Sequence, residues 1–460
     1  MKETKYQKLY QELKEMLMLG KYQAHDKLPS KRKLAASLKL SPLTIQNAYE
    51  QLLTEGFIYT KEKVGYFVSE GLDFFKPVKK TFQHTPYIEE DDHSFDFAFK
   101  TNVVDTSLFP NATWAKLSRE VLSMNYHEML NRTHPKGILD LRIEIAKYLE
   151  LYRGMSVDPE QVIIGSGSQA LISMLVELLG RDQTYALEKP GYLRLYQIFK
   201  GQDVHLELIH LDEQGISMDA LEKGSAKIMH ITPAHQFPTG IVMPIQRRLE
   251  ILKWASKEKG RYIIEDDYDS EFRFSGQPVF TLFGLDHEDH VIYMNSFTKT
   301  LAPSFRMGYI VLPKPLLKVY QSIQSYHGCT VPNFEQFIMY KFMREGYFER
   351  HINRMRQVYK KKLDIMKSMI KTYDELEMFG DEAGLHFILT LKKDISEEKV
   401  VSHLKNAKID VTGFKHYIQD GYYDNDNFPK LVIGYSGIPL EIIEEATQKL
   451  INVMLNIQRL

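Results

Sequence analysis

An α/β body preceded by a small basic helical head is the fold class this sequence predicts, and three observations predict it. Through the middle of the chain short apolar runs alternate with helically spaced apolar residues, the pattern of a largely parallel sheet covered by helices. The first seventy residues carry twelve Lys and Arg against eight Asp and Glu, whereas the whole chain has a net charge of -1, so positive charge is segregated at one end. The length, 460 residues, exceeds what one hydrophobic core organises and predicts two or three domains. The single cysteine, Cys329, rules out an intramolecular disulfide framework and fits a reducing compartment. No apolar run approaches bilayer length, so the expected location is the cytoplasm, with no membrane partner.

Within residues 1–70, Leu9, Leu13, Met16 and Leu17 recur at helical spacing and predict a helix ending near Gly20. Ser30 is placed to cap a short helix from Lys31, and after the break Lys39-Leu40, Ser41 caps a second helix opened by Pro42. We read the apolar stripe of that second helix as Leu43, Ile45, Ala48, Leu52 and Leu53. The opposite face then carries Thr44, Gln46, Asn47 and Tyr49, which reach base edges or phosphates. Gly56–Tyr59 and Val64–Val68 read as strands around the basic turn Thr60-Lys61-Glu62-Lys63. Two short helices with a tight break and a basic hairpin predict a winged helix-turn-helix. Its second helix would enter the major groove of double-stranded DNA while Lys31, Arg32, Lys61 and Lys63 hold the backbone. The caps Ser30 and Ser41 and the hairpin glycine Gly65 complete the DNA-contacting set. The bland alternative is a small helical domain with solvated lysines. Leu28-Pro29-Ser30-Lys31-Arg32-Lys33-Leu34-Ala35 and Ala48-Tyr49-Glu50-Gln51-Leu52-Leu53-Thr54-Glu55-Gly56-Phe57 resemble the signature of the GntR class of bacterial regulators.

Residues 71–95, with Pro77, Pro86 and the acidic run Glu89-Glu90-Asp91-Asp92, lack periodicity and read as a linker. The body, 96–460, is expected to hold strands near 162–164, 184–187, 204–209, 227–231, 261–265, 291–295 and 307–312, with a helix from Ser168 to Leu179. From about 331 onward, long amphipathic helices over 333–371 and strands at 385–391 and 430–435 predict a smaller α+β domain.

The chemistry centres on Ser296-Phe297-Thr298-Lys299-Thr300. A lysine delivered by an apolar strand has its pKa lowered by desolvation, and a neutral amine forms a Schiff base with an aldehyde. Gly165-Ser166-Gly167-Ser168-Gln169 lies between a strand and a helix, a phosphate site in outline. Glu265-Asp266-Asp267-Tyr268-Asp269 gathers carboxylates that need a cation. A metal is one reading, although no histidine or cysteine pair accompanies them at ligand spacing; a protonated pyridine nitrogen is another. Pro190-Gly191-Tyr192-Leu193-Arg194 offers a ring for stacking and a guanidinium beside it.

With Thr232-Pro233-Ala234-His235-Gln236-Phe237-Pro238-Thr239-Gly240, these motifs resemble the fold-type I aminotransferases, and most closely the MocR subfamily of GntR-type regulators. That resemblance covers nearly the whole chain. It implies a winged helix-turn-helix fused to large and small domains of a pyridoxal 5'-phosphate (PLP)-dependent aminotransferase-like body. Lys299 would form the Schiff base with PLP and Asp266 would pair with its pyridine nitrogen. Tyr268 would contact the ring oxygen, Tyr192 the ring face, and Ser168, Gln169, Ser296 and Arg306 the phosphate. It also implies a homodimer in which the head of one chain lies against the body of the other, acting on repeated DNA half-sites.

Two departures matter. Phe237 stands where many aminotransferases have an asparagine that bonds the ring oxygen, and Gly437 is read as occupying the place of their substrate-carboxylate arginine. Arg194 remains to hold an anionic effector. The expectation is a PLP-binding transcriptional regulator that senses a small ligand, either PLP itself, controlling vitamin B6 synthesis, or an amino compound. The alternative is a working aminotransferase with an N-terminal interaction module.

Overall fold

A computed structural model describes residues 4–72, 95–123, 126–274, 280–323, 328–418 and 428–457. Its contacts divide the chain into two units, Met1–Asp92 and His93–Leu460. The expected linker 71–95 lies, apart from Gly71, Leu72 and Phe95, outside the described residues.

In the first unit, α1 (Lys5–Met18) starts with a capping box between Thr4 and Gln7, and α2 (Lys31–Leu38) and α3 (Pro42–Thr54) are capped by Ser30 and Ser41. Lys39 adopts the left-handed conformation that closes α2, which makes the break between the two helices tight. The buried stripe of α3 is Ile45, Ala48, Tyr49 and Leu52, the spacing i, i+3, i+4, i+7. Leu43 and Leu53 are exposed, so the stripe read from sequence was rotated from the true one, and Tyr49 belongs to the core. Strands β1 (Ile58–Lys61) and β2 (Gly65–Val68) form the hairpin, with Ile58 opposite Val68. Leu28 N–H donates to the Tyr66 carbonyl at 2.9 Å, which ties the hairpin to the segment before α2.

The second unit begins with β3 (Phe97–Ala98) and then builds an eight-stranded sheet. Its strands in chain order are β4 (Val162–Gly165), β5 (Thr184–Lys189), β6 (His205–Asp212), β7 (Gly215–Ile216), β8 (Ile228–Ile231), β9 (Tyr262–Asp266), β10 (Val291–Ser296) and β11 (Gly308–Val311), arranged β4-β11-β10-β9-β8-β5-β6-β7. The run β10-β9-β8-β5-β6 is parallel, and β11 is antiparallel to both its neighbours. β4, β8 and β11 are buried along their whole length, as strands covered on both faces must be. The smaller sheet joins β12 (Leu376–Phe379), β13 (His386–Leu391), β15 (Thr412–Gly413) and β16 (Lys430–Gly434) in the order β12-β13-β16-β15. It packs with helices Tyr347–Ile370, Glu397–Asn406 and Ile443–Leu455 around Phe387, Leu389, Leu431, Ile433 and Met454. β14 (Ile409–Asp410) pairs in parallel with β3, so the first described strand of the body is carried by the small domain. No described helix is long and apolar enough to cross a membrane.

Candidate functional site

Sheet register assembles the body's site. Ser296 at the end of β10 lies opposite Gly308 of β11, and Gly308 lies opposite Gly165 of β4. The turn after β4, the turn after β10 and Arg306 just before β11 therefore converge at one edge. Asp266, the last residue of β9, is in register with Met294 of β10, which sets it beside the same opening. A cavity of about 210 Å³ forms there, lined among others by Ser168, Gln169, Tyr192, Arg194, Asp266, Tyr268, Ser296, Lys299 and Arg306. All the body residues singled out from sequence for a cofactor or effector thus face one space.

Lys299 is partly buried and its amine donates to the Thr101 carbonyl. Desolvation pushes its pKa down to about 8, opposed by the charge of Asp269. At the far side, helix Ser168–Leu179 starts behind Gly167 with no side-chain cap, so its first amides are left for an anion. Gly167 has φ 82°, and a Cβ there would sit 3.2 Å from the Arg306 guanidinium, so a side chain would fill the cradle. Arg306 reaches back to the Ser166 carbonyl at 3.5 Å. Between these ends, Asp266 Oδ2 lies 3.4 Å from His230 Nε2, which is buried without a hydrogen-bond partner. An aldehyde-reactive amine, an anion cradle and a carboxylate backed by an imidazole are the groups that PLP's aldehyde, phosphate and pyridine nitrogen require, so the residues fit that group.

The carboxylates that looked costly in the sequence each have a cationic or imidazole neighbour. Asp267 binds Arg153 at 2.6 Å and accepts from the Tyr293 hydroxyl at 2.6 Å. Asp269 Oδ2 is 3.0 Å from His235 Nδ1, and Tyr268 donates to the His235 carbonyl at 3.0 Å. His235, Asp269 and His386 also have ligand atoms within 4.8 Å of one another. Of these, His235 Nδ1 and Asp269 Oδ2 face each other and His386 Nε2 faces the Pro238 carbonyl at 3.2 Å, while His235 Nε2 and Asp269 Oδ1 have no hydrogen-bond partner. Burial and the nearby His235 and Lys299 hold the His386 pKa well below the histidine range.

Sequence reasoning missed Glu188, His230 and His386, and named His235 and Asp269 within their motifs without giving either a role of its own. Glu188 lines the cavity, accepts from Thr232 N–H at 3.1 Å and its hydroxyl at 2.7 Å, and leaves Oε1 unpartnered; burial pushes its pKa up to about 7. The signal for Glu188 and His230 was a lone polar residue ending or interrupting an apolar strand, as in Ile228-Met229-His230-Ile231. Gly437 is a correction. It does not line the cavity, and a Cβ there would meet Val103 at 2.5 Å. Val432 of β16 instead packs with Phe237, Ile388, Phe414 and Tyr417 into an apolar cluster against which Tyr268 rests. Among the described cavity-lining residues the arginines are Arg194, which is exposed, and Arg306.

In the head, Asn47, Arg32, Lys61 and Lys63 are exposed, and Thr44 and Gln46 are half-buried, bonded to Ser41 and Glu50 at 2.8 Å each. Lys61 lies 4.9 Å over the Phe67 ring and Lys31 5.6 Å over the Tyr66 ring, so both amines are held at the surface by aromatic faces. Lys63 takes the turn's positive φ of 56°, and Gly65 opens β2 with φ 137°. Ser30 and Ser41 spend their hydroxyls on the helix caps at 3.2 Å. Tyr49 is the exception: it is 0% exposed and its hydroxyl donates to the Pro29 carbonyl at 2.9 Å, so it cannot read bases.

A winged helix joined in one chain to an aminotransferase-type body defines a class of bacterial transcriptional regulator. Residues 5–68 match the family described as bacterial regulatory proteins, gntR family, and residues 98–418 match aminotransferase class I and II. The uncharacterized HTH-type transcriptional regulator YdeL of Bacillus subtilis is 36% identical over 97% of this chain and 96% of its own length. The probable rhizopine catabolism regulatory protein MocR of Rhizobium meliloti is 26% identical, covering 98% and 94%. The HTH-type pyridoxine biosynthesis transcriptional regulator PdxR of Corynebacterium glutamicum is 28% identical, covering 89% and 88%. An archaeal alanine:glyoxylate aminotransferase structure superposes with a TM-score of 0.69 at 25% identity, over 78% of this chain and 90% of that one. The chain belongs to the MocR subfamily of GntR-type transcriptional regulators.

Proposed function

We propose that this regulator holds PLP at Lys299, senses a small ligand in the same cavity, and acts as a cytoplasmic homodimer on repeated DNA half-sites, the head of one chain against the body of the other. The observation that carries the reading is the convergence on one cavity of the Lys299 amine, the Asp266 carboxylate and the uncapped helix start beside Arg306. PLP, when bound, supplies an aldehyde for a primary amine and a coloured ring that withdraws electrons. Lys299, with its pKa near 8, presents a useful fraction of neutral amine close to neutral pH. Asp266 would keep the ring nitrogen protonated, Tyr192 would cover the ring face and Tyr268 would stand by the ring oxygen. Ser168, Gln169, Ser296 and Arg306 would hold the phosphate. Arg194 is the cation left for an anionic effector. The name of the PdxR relative supports PLP itself as a candidate effector, beside amino compounds. On this reading residues 1–70 are the DNA-binding domain, 71–95 the linker and 96–460 the sensing body.

The test is the full-length protein incubated with PLP. A visible absorbance band that is absent in Lys299→Ala supports the cofactor; no band in the wild type overturns it. DNA affinity and footprint are then compared with and without PLP and candidate amines, and unchanged binding under every ligand overturns the sensing. The intact Lys299–Asp266 pair also suits a second reading, a working aminotransferase. Rapid exchange of an amino group between an amino donor and a keto acid would favour it.

A further inference from the structure

A second cavity, of about 310 Å³, shares Asp269 with the one that contains Lys299. It is walled by the end of helix Leu139–Arg153, the turn that follows β9, the start of helix Tyr347–Ile370, and Ala383 and Gly384 before β13. Neither the DNA-binding head nor the cofactor reading uses it.

Its wall is polar and short of partners. Arg153 Nε, His235 Nε2, Asp269 Oδ1, Ser270 Oγ, Glu271 Oε2 and Glu349 Oε2 belong to lining residues and have no hydrogen-bond partner. His235 and Asp269 are each 1% exposed and Glu271 6%, so bulk water does not supply what they lack. These atoms are of two kinds. Asp269, Glu271 and Glu349 offer carboxylate oxygens, and His235, whose Nδ1 faces Asp269 Oδ2 at 3.0 Å, offers the Nε2 lone pair. Arg153 offers the opposite, a guanidinium N–H beside its pair with Asp267 at 2.6 Å. Burial and Asp267 push the Glu271 pKa up to about 7, the mark of a carboxyl with too little positive charge around it.

A metal ion fits this wall poorly. Among the described residues, the cluster at ion-coordinating spacing is His235, Asp269 and His386, which leaves out Glu271 and Glu349. One small molecule with both signs of charge fits better. An ammonium has several N–H groups for the carboxylates, and a carboxylate has lone pairs for Arg153 and the Ser270 hydroxyl. The lining charges also balance, with Arg153, Arg273 and Arg356 against Asp269, Glu271 and Glu349. A molecule of zero net charge therefore suits the cavity better than a simple amine or a simple anion. Tyr148, Tyr152 and Ile352 add an apolar stretch for a side chain.

We propose that this cavity is a second binding site, for a small amino acid in its zwitterionic form. The proposal does not depend on the cofactor reading. Asp269 is common to both cavities, and its charge favours the protonated form of Lys299. An ammonium at Asp269 Oδ1 offsets that charge, so an occupant of the second cavity tunes the lysine without touching it.

The test is calorimetric titration of the full-length protein without PLP, so that no aldehyde competes for the amine. The probes are glycine, L-alanine and L-leucine. For each one that binds, its two halves are titrated as well, which for alanine are ethylamine and propionate. At least one amino acid should bind saturably, and each half about tenfold or more weakly than the whole. Glu349→Gln and Glu271→Gln should each weaken binding about tenfold or more, the loss of a charge-assisted hydrogen bond. Neither residue lines the Lys299 cavity, so such losses place the ligand in the second one. Glu349 is only half-buried, and its variant should keep the wild-type melting temperature. Absence of saturable binding by all the probes, halves that bind as tightly as the whole, or binding indifferent to both variants overturns the proposal. None of these results bears on the visible band formed with PLP, so the two readings fail separately.

Discussion

Tyr49→Phe separates a core tyrosine from a base-reading one. Tyr49 is fully buried in α3, its ring meets Tyr66 edge-on at 4.9 Å, and its hydroxyl donates to the Pro29 carbonyl at 2.9 Å. Removing the hydroxyl leaves that carbonyl short of a donor and costs about 1 kcal/mol, whereas Tyr49→Ala also leaves a cavity and costs about 3–5 kcal/mol. A domain of this size has about 3–10 kcal/mol of stability in all, so the alanine variant empties much of it. The phenylalanine variant should raise the open population of the head about fivefold, read as faster amide hydrogen exchange across α2 and α3 in the full-length protein. Its DNA footprint should keep the wild-type base preference, with affinity reduced at most by the added unfolded fraction. Wild-type exchange protection combined with an altered base preference would refute the assignment of Tyr49 to the core.

Three further outcomes follow from the two sites. Lys61→Ala should weaken binding to all DNA sequences and reduce the salt slope by about one, whereas Asn47→Ala, exposed on α3, should change base preference; equal weakening at every site would remove Asn47 from base reading. Arg306→Ala should weaken PLP binding by about 10- to 100-fold in equilibrium dialysis, the worth of a charge-assisted phosphate contact, and should affect pyridoxal lacking the phosphate far less. Glu188→Gln tests a buried carboxyl whose pKa is raised from 4.5 to about 7. Because the folded state holds a proton that the unfolded state releases first, its contribution is full below about pH 4.5 and is lost as pH rises through 7. The melting temperature of the variant, which keeps an acceptor for Thr232, should therefore gain on the wild type between pH 5 and 8; a constant difference would place the Glu188 pKa near its ordinary value.

Much of the body was legible because its strands are apolar runs with few polar interruptions. The helix from Ser168 to Leu179 and the strands ending at Asp266 and just before Lys299 were placed by periodicity and by the turns that follow them. What periodicity could not supply was register. The meeting of Gly165, Gly308 and Ser296 depends on β11 running antiparallel between β4 and β10, a tertiary arrangement with no local signature. The same limit explains Tyr49. Its phenol is amphipathic, so on α3 the choice between Leu43 and Tyr49 for the buried stripe was decided by packing against Tyr66 and Pro29, both distant in sequence. Short strands such as β3 and β14 exist only as a pair and left no trace in either segment alone. Gly437 was misplaced because strand β16 delivers Val432, five residues earlier, toward the tyrosine and phenylalanine of the site.

The hydrogen bond from Lys299 to Thr101 has a consequence for the chain upstream. A lysine amine has hydrogens to spare for a carbonyl, but a nitrogen condensed with an aldehyde keeps one at most, and that one is drawn to the ring. An aldehyde condensed with Lys299 would leave the Thr101 carbonyl without this donor. Thr101 closes a short run whose earlier members are stitched to the small domain: Phe97 lies against Ile409, Phe99 N–H donates to the Asp410 carbonyl at 2.8 Å, and the Phe99 carbonyl accepts from Gly434 N–H at 3.0 Å. The latch at one end of this run is chemical and its stitching at the other is mechanical. The lysine of the cavity and the strands of the small domain thus hold one and the same short run, residues 97–101, from its two ends.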